Sequence, residues 1–192
     1  LLQLNGSRYR GNVTLFEADL FQAGSYDTAF NGAAAVIHAG ATVGFNRETP
    51  QEVYDGCFKE NAHVIESVKK SGSVSRFVFT SSFAAVGHPR SEGYVFTEKD
   101  WCGDNVEAYK GRWSEEQIPL NRDIAYAMAK ANTEKLIYEE AATDGSFEAM
   151  AIVPLHVIGP LLAINNDQPW SWQNHIKRMM QGQPYKGGRD GR

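Results

Sequence analysis

Several features that mark whole classes of protein are missing from this chain. Among its 192 residues only two are cysteine, Cys57 and Cys102, and they form no CxxC pair and no Cys/His spacing. A disulfide scaffold or a structural zinc site needs more thiols at closer spacing, so these two read as reduced thiols. No HExxH and no tight cysteine/histidine cluster occurs, which argues against a metal enzyme. No run of about 18 apolar residues exists, so no membrane-spanning helix is expected. Positive charge is not in excess: 19 Lys+Arg against 23 Asp+Glu leave a formal net charge of −4. Nonspecific nucleic-acid binders are usually basic, so that class is disfavoured. There is no internal repeat and no low-complexity stretch. No charged-then-apolar leader opens the chain, and the cytoplasm is the expected compartment. The ends, Leu1-Leu-Gln-Leu4 and Gly187 to Arg192, read as interior positions of a longer protein.

What is present is an ordinary globular composition, 42% hydrophobic and 22% charged, long enough to bury a sizeable core. Asn12 to Ala18 alternates toward a strand. Ser25 to Phe30 reads as a short helix beginning near Gly24 or Ser25 and closed by Gly32. Ala34-Ala-Val-Ile-His-Ala39 is a continuous apolar run, the pattern of a strand buried on both faces. Thr49-Pro50-Gln51-Glu52 combines a capping threonine, a first-turn proline and a glutamate three residues on. It predicts a helix to about Lys70, stopped by Gly72. Arg76 to Ser81 is the next buried strand, and the stretch from Phe83 to about Arg122 is irregular. Helical spacing returns from Asp123 to Ala142, Gly145 ends it, and Phe147 to Val153 is another strand. A last helix is predicted over Ser171 to Gln181. This alternation predicts an α/β fold with a doubly wound parallel sheet, Rossmann-like. Ligands of such sheets sit beyond the carboxyl ends of the strands. Those tips are Asp19-Leu20, Ala39-Gly40-Ala41, Thr80-Ser81-Ser82 and Pro154 to Gly159.

The most telling stretch is Tyr126-Ala-Met-Ala-Lys130. Positions i and i+4 share a helix face, so one phenol and one ammonium point the same way. A free phenol has a pKa near 10, and a cation within about 4–6 Å lowers it. Lys130 is suited to that role. The phenol then acts as general acid toward a developing alkoxide, or as general base in the reverse direction. Ser82 can hold the reacting oxygen by a hydrogen bond. Blander roles stand beside each of these: a core tyrosine with a solvated lysine, a turn built on Ser81 and Ser82, a strand-end turn at Asp19. His38, inside an apolar strand, reads as a satisfied core histidine.

Five runs, in order, resemble the extended short-chain dehydrogenase/reductase superfamily, in its dihydroflavonol-reductase and cinnamoyl-CoA-reductase-like branch. They are Leu15 to Leu20, Val36 to Ala41, Ser73 to Ser82, Tyr126 to Lys130 and Val153 to Leu162. The resemblance implies a catalytic triad of Ser82, Tyr126 and Lys130. It implies Asp19 on the adenine amine with Leu20 beside that ring. It places Ala39, Gly40 and Ala41 along the cofactor, Thr80 on the same wall, Lys130 on the nicotinamide ribose, and Pro154 and Val157 at the nicotinamide carboxamide. In the family a helix often reads Asn-Val-x-Gly-Thr where this chain has Cys57-Phe-Lys-Glu-Asn61, which leaves a structural, cofactor-side asparagine in question.

The implied function is reduction of a carbonyl (aldehyde, ketone or acyl thioester), or oxidation of the matching alcohol, with NADP(H) or alternatively NAD(H). Rival readings are a nucleotide-sugar epimerase or dehydratase with retained NAD, and a non-catalytic dinucleotide sensor. The expected partner is a small carbonyl or alcohol substrate. By resemblance alone, the helices at about 50–70 and 123–142 are candidates to join two copies in a homodimer. Residues 1–162 are expected to form part of the dinucleotide-binding domain, with a substrate-loop insertion at about 83–122. Residues 163–192 would begin a C-terminal substrate lobe. The first strands and most of that lobe are expected to lie outside the chain.

Overall fold

The computed structural model describes residues 12–40, 49–87, 91–102, 122–157 and 171–183. Its centre is a three-stranded parallel sheet in the order β1 (Ala35–His38), β2 (Arg76–Thr80), β3 (Glu148–Ile152). The register pairs His38 with Phe79 and Thr80 with Ile152, so the strands end together at one rim. Parallel neighbours require crossovers, and two long helices supply them: α2 (Pro50–Ser71) between β1 and β2, and α3 (Arg122–Asp144) between β2 and β3. The architecture is the α/β, Rossmann-like one that the alternation predicts.

Local chemistry explains the helix ends. Thr49 accepts from the Glu52 amide at 3.2 Å, and the Glu52 carboxylate accepts from the Thr49 amide at 2.9 Å. The capping box and Pro50 start α2, and Gly72 stops it with φ of 61°. Gly145 follows α3 at φ 68°. These are the left-handed positions that a side chain disfavours.

Phe77 and Phe79, together with Val36, present one sheet face to Val64, Ile65 and Val68 of α2 and Ile137 of α3. Phe77 and Phe79 are essentially fully buried, and each contributes about 1.5–3 kcal/mol by leaving water. Both long helices therefore cover the same face. The helices are also joined directly, Asn132 donating to the Tyr54 hydroxyl at 2.8 Å and Lys69 pairing with Glu140 at 2.6 Å.

Three expectations change. β1 is not buried on both faces: Val36 and His38 are, but Ile37 is 74% exposed. Ile37 shares its face with Met150 and Ile152, which are also exposed, because α2 and α3 both pack on the other side. Residues 12–19 form no strand, since none of the described strands pairs with them. The short helix α1 (Asp27–Phe30) begins later than predicted, because the Ser25 hydroxyl accepts from the Asp19 amide at 2.6 Å and caps nothing.

The chain divides into two compact units, Leu1–Val153 and Pro154–Arg192. The second contains α4 (Ser171–Met180), with Lys177 and Arg178 in its last turn. Among the described residues, no helix is long and apolar enough to cross a membrane.

Candidate active site

The carboxyl rim of β2 gathers three residues of α3 at helical spacing. The Tyr126 phenol lies beside the Ser82 hydroxyl, near enough for that hydroxyl to favour its ionised form. One turn on, Lys130 donates from Nζ to the Thr80 carbonyl at 3.1 Å. A further turn on, Glu134 lies beside Ser81. Successive turns of one helix face thus meet the three consecutive residues Thr80, Ser81 and Ser82 at one strand end. Ser82 also accepts from the Ala84 amide at 3.2 Å, which starts the short 3-10 turn Phe83–Ala85. That turn, with Cys102, packs against Ala127 and Ala131 of α3 and holds the rim to the helix.

Lys130 is only 3% exposed. Its Nζ stands 4.9 Å from the centre of the Phe79 ring and 5.9 Å from that of Tyr126. Burial pushes its ammonium below the ordinary lysine range. The nearby Cys57, Glu134 and Glu60 side chains pull it back up. The phenol does not behave as its spacing to a lysine predicts. Tyr126 is raised, mainly by burial and also by the neighbouring Cys57 thiol, while the Ser82 hydroxyl opposes the shift. The ammonium is bonded to a backbone carbonyl, and desolvation of the ring outweighs its attraction. Cys57 is itself fully enclosed, its thiol raised to about 11 by burial.

The neighbouring rim of β1 is held from α2. His38 donates from Nε2 to Asn61 Oδ1 at 2.7 Å, and Asn61 donates onward to the Cys57 carbonyl. His38 stacks near Phe77 and Phe79, and burial lowers its pKa. It is a satisfied core histidine. Asn61 and Glu134 went unassigned in the sequence. The available signal was a polar residue on a helix stripe otherwise occupied by core positions.

Beside Gly40 sits Leu20: a Cβ on Gly40 would fall 3.1 Å from the His38 ring and 3.5 Å from the Leu20 side chain. The Leu20 carbonyl accepts from His63 Nδ1 at 3.0 Å, which ties this turn to α2. Asp19 closes the turn by accepting from the Phe21 amide at 2.9 Å. Asp19, Leu20 and Phe21, together with Glu17, Gln22, Ser25 and Tyr26, line an open pocket of about 730 Å³. Leu20, Gly40, Thr80, Ser82, Tyr126 and Lys130 therefore lie along one rim. Ala41 lies outside the described residues. Pro154 and Val157 belong to the second compact unit, where Val157 is exposed. Among the described residues, no cluster of three His, Cys, Asp or Glu side chains is arranged for a metal. Both cysteines are free and buried.

Residues 3–192 match the family described as NAD dependent epimerase/dehydratase. A cinnamoyl-CoA reductase from Medicago truncatula is 31% identical over 171 residues, covering 84% of this chain and 46% of that protein. A dihydroflavonol 4-reductase from Arabidopsis thaliana is 29% identical over 154 residues, covering 78% of this chain and 37% of that protein. The chain thus spans less than half the length of these relatives. Among solved structures, yeast methylglyoxal/isovaleraldehyde reductase Gre2 complexed with NADPH superposes with a TM-score of 0.62 at 23% identity. That match covers 76% of this chain and 44% of the yeast protein.

Proposed function

This chain belongs to the NAD dependent epimerase/dehydratase family, and from that premise we propose that the protein is an NADP(H)-dependent reductase of small-molecule carbonyls. The observation that carries the reading is the convergence of Tyr126 on Ser82 and of Lys130 on Thr80 at the β2 rim. The named activities of the cinnamoyl-CoA, dihydroflavonol and methylglyoxal/isovaleraldehyde reductases support the reaction class.

The residues present suit a dinucleotide. The Asp19–Leu20 turn lines an open pocket, and at Gly40 a side chain would crowd His38 and Leu20. In this reading Asp19 and Leu20 hold the adenosine end, Ala39 and Gly40 border the middle, and Thr80, Tyr126 and Lys130 serve the nicotinamide end. The cofactor, when bound, supplies the hydride.

The chain's own side chains handle the proton. Burial keeps the Tyr126 phenol protonated at neutral pH, so it is a ready general acid for an alkoxide developing beside it. Ser82 donates to the same oxygen and orients it. Once the proton leaves, the phenolate gains from the Lys130 ammonium, whose Nζ is 5.9 Å from the ring centre. The exclusion of water from Lys130 strengthens that attraction.

The test is Tyr126→Phe in the full-length protein, followed by NADPH oxidation across a panel of aldehydes, ketones and acyl thioesters. Turnover should fall at least about a hundredfold, with circular dichroism unchanged. Near-normal turnover would remove the mechanism. Tightly copurifying NAD, with no exchange of added NADPH, would point instead to an epimerase or dehydratase.

A further inference from the structure

Glu134 has no role in the chemistry above, yet it is only 6% exposed and lies one turn beyond Lys130 on α3. Its neighbour across the gap is Ser81, 4% exposed, the residue between Thr80 and Ser82. The Ser81 hydroxyl is close enough to draw down the carboxyl's proton affinity but stops short of a well-formed bond. A buried carboxylate is costly unless a cation answers it, and a buried ammonium has the same need. Glu134 and Lys130 stand one helical turn apart on the same buried stripe of α3, so each charge acts on the other without a direct ion pair between them.

We propose that Glu134 is a positioning residue for the reduction. It supplies the counter-charge that keeps the Lys130 ammonium on the Thr80 carbonyl, and it braces Ser81 so that Ser82 faces Tyr126. The proposal rests on the reductase reading for its consequence but not for its geometry. Other groups face Lys130 from every packed element: Cys57 and Glu60 from α2, Tyr126 from α3, His38 from β1 and the Thr80 carbonyl from β2. Glu60 shares the counter-charge role. Glu134 also lies beside Ser81 at the β2 rim. Burial moves the Glu134 carboxyl up and the Lys130 ammonium down, and each charge opposes the other's shift.

The experiment compares Glu134→Gln, Glu134→Asp and Ser81→Ala in the full-length protein. Lysine Nζ ionisation is followed by NMR with 15N-lysine labelling, the Lys130 signal being assigned through Lys130→Arg. Glu134→Gln should move the Lys130 titration down by about one pH unit. It should also lower kcat about tenfold with little change in cofactor KM, and shift the alkaline limb of the pH profile the same way. Glu134→Asp should restore part of each effect. Ser81→Ala should lower kcat while leaving the Lys130 titration in place. A Lys130 titration unmoved by Glu134→Gln would overturn the inference, whatever the turnover. A shifted titration in a protein that reduces no carbonyl would leave the inference standing and remove the proposed function.

Discussion

Lys130 Nζ is 3.1 Å from the carbonyl oxygen of Thr80 and 5.9 Å from the centre of the Tyr126 ring. The ammonium therefore first anchors helix to strand. Its service to the phenol depends on that anchor, because the bond fixes where the charge sits.

Replacing the anchor should affect two measurements. Lys130→Met removes the donor to Thr80 and takes the nearby ammonium away from buried Glu134. Stability in urea should fall by about 1–3 kcal/mol. Turnover should fall at least about a hundredfold. Lys130→Arg should not restore it, since a planar guanidinium cannot occupy a site that is 3% exposed around a compact ammonium.

His38 predicts a pH dependence of stability. Its folded pKa lies below the ordinary value of 6.5, chiefly because burial disfavours the charged ring. The unfolded chain then binds the proton more readily than the native one. The contribution is fully present above about pH 6.5 and is lost as pH falls through the lower folded value. The difference in urea stability between the wild type and His38→Phe should be constant above about pH 6.5 and change only on that acid side. Asn61→Ala, which strips His38 Nε2 of its acceptor, should cost about 1–3 kcal/mol at neutral pH.

Gly87 is fixed by close approach. A Cβ there would fall 2.6 Å from the Phe83 ring and 2.9 Å from the Phe83 carbonyl oxygen. Gly87→Ala must displace the 3-10 turn whose first amide bonds depend on Ser82. Turnover should drop several-fold while the urea midpoint moves little. A variant with wild-type kcat would show that the turn yields without disturbing Ser82.

The cysteines should be silent in the folded protein. Cys57 is fully buried with its thiol raised to about 11, and Cys102 is 8% exposed. The thiolate is the reactive species, so iodoacetamide at pH 8 should label neither until denaturant is added. Rapid native labelling of Cys57, read by mass spectrometry, would mean that the α2–α3 contact opens readily.

The parts of the site legible in the sequence are those that neighbours along the chain decide. Thr49 and Glu52 close a capping box within four residues, and Gly72 and Gly145 stop helices by their own backbone freedom. Tyr126 and Lys130 share a helix face because of helical pitch. What was missed joins distant segments. Asn61 reaches His38 across 23 positions, and Glu134 reaches Ser81 only after α3 is laid on β2. The apolar run at β1 gave no sign that Ile37 would face outward, because composition does not say on which side the helices pack.

By itself the sequence determined the alternation of helices and strands and the alignment of a phenol with an ammonium, since both follow from backbone geometry and short-range spacing. Only the tertiary structure decided the electrostatic state of that pair. Burial of Tyr126 raises its phenol and burial of Lys130 lowers its ammonium, and desolvation arises only when separate segments close around a side chain and exclude water.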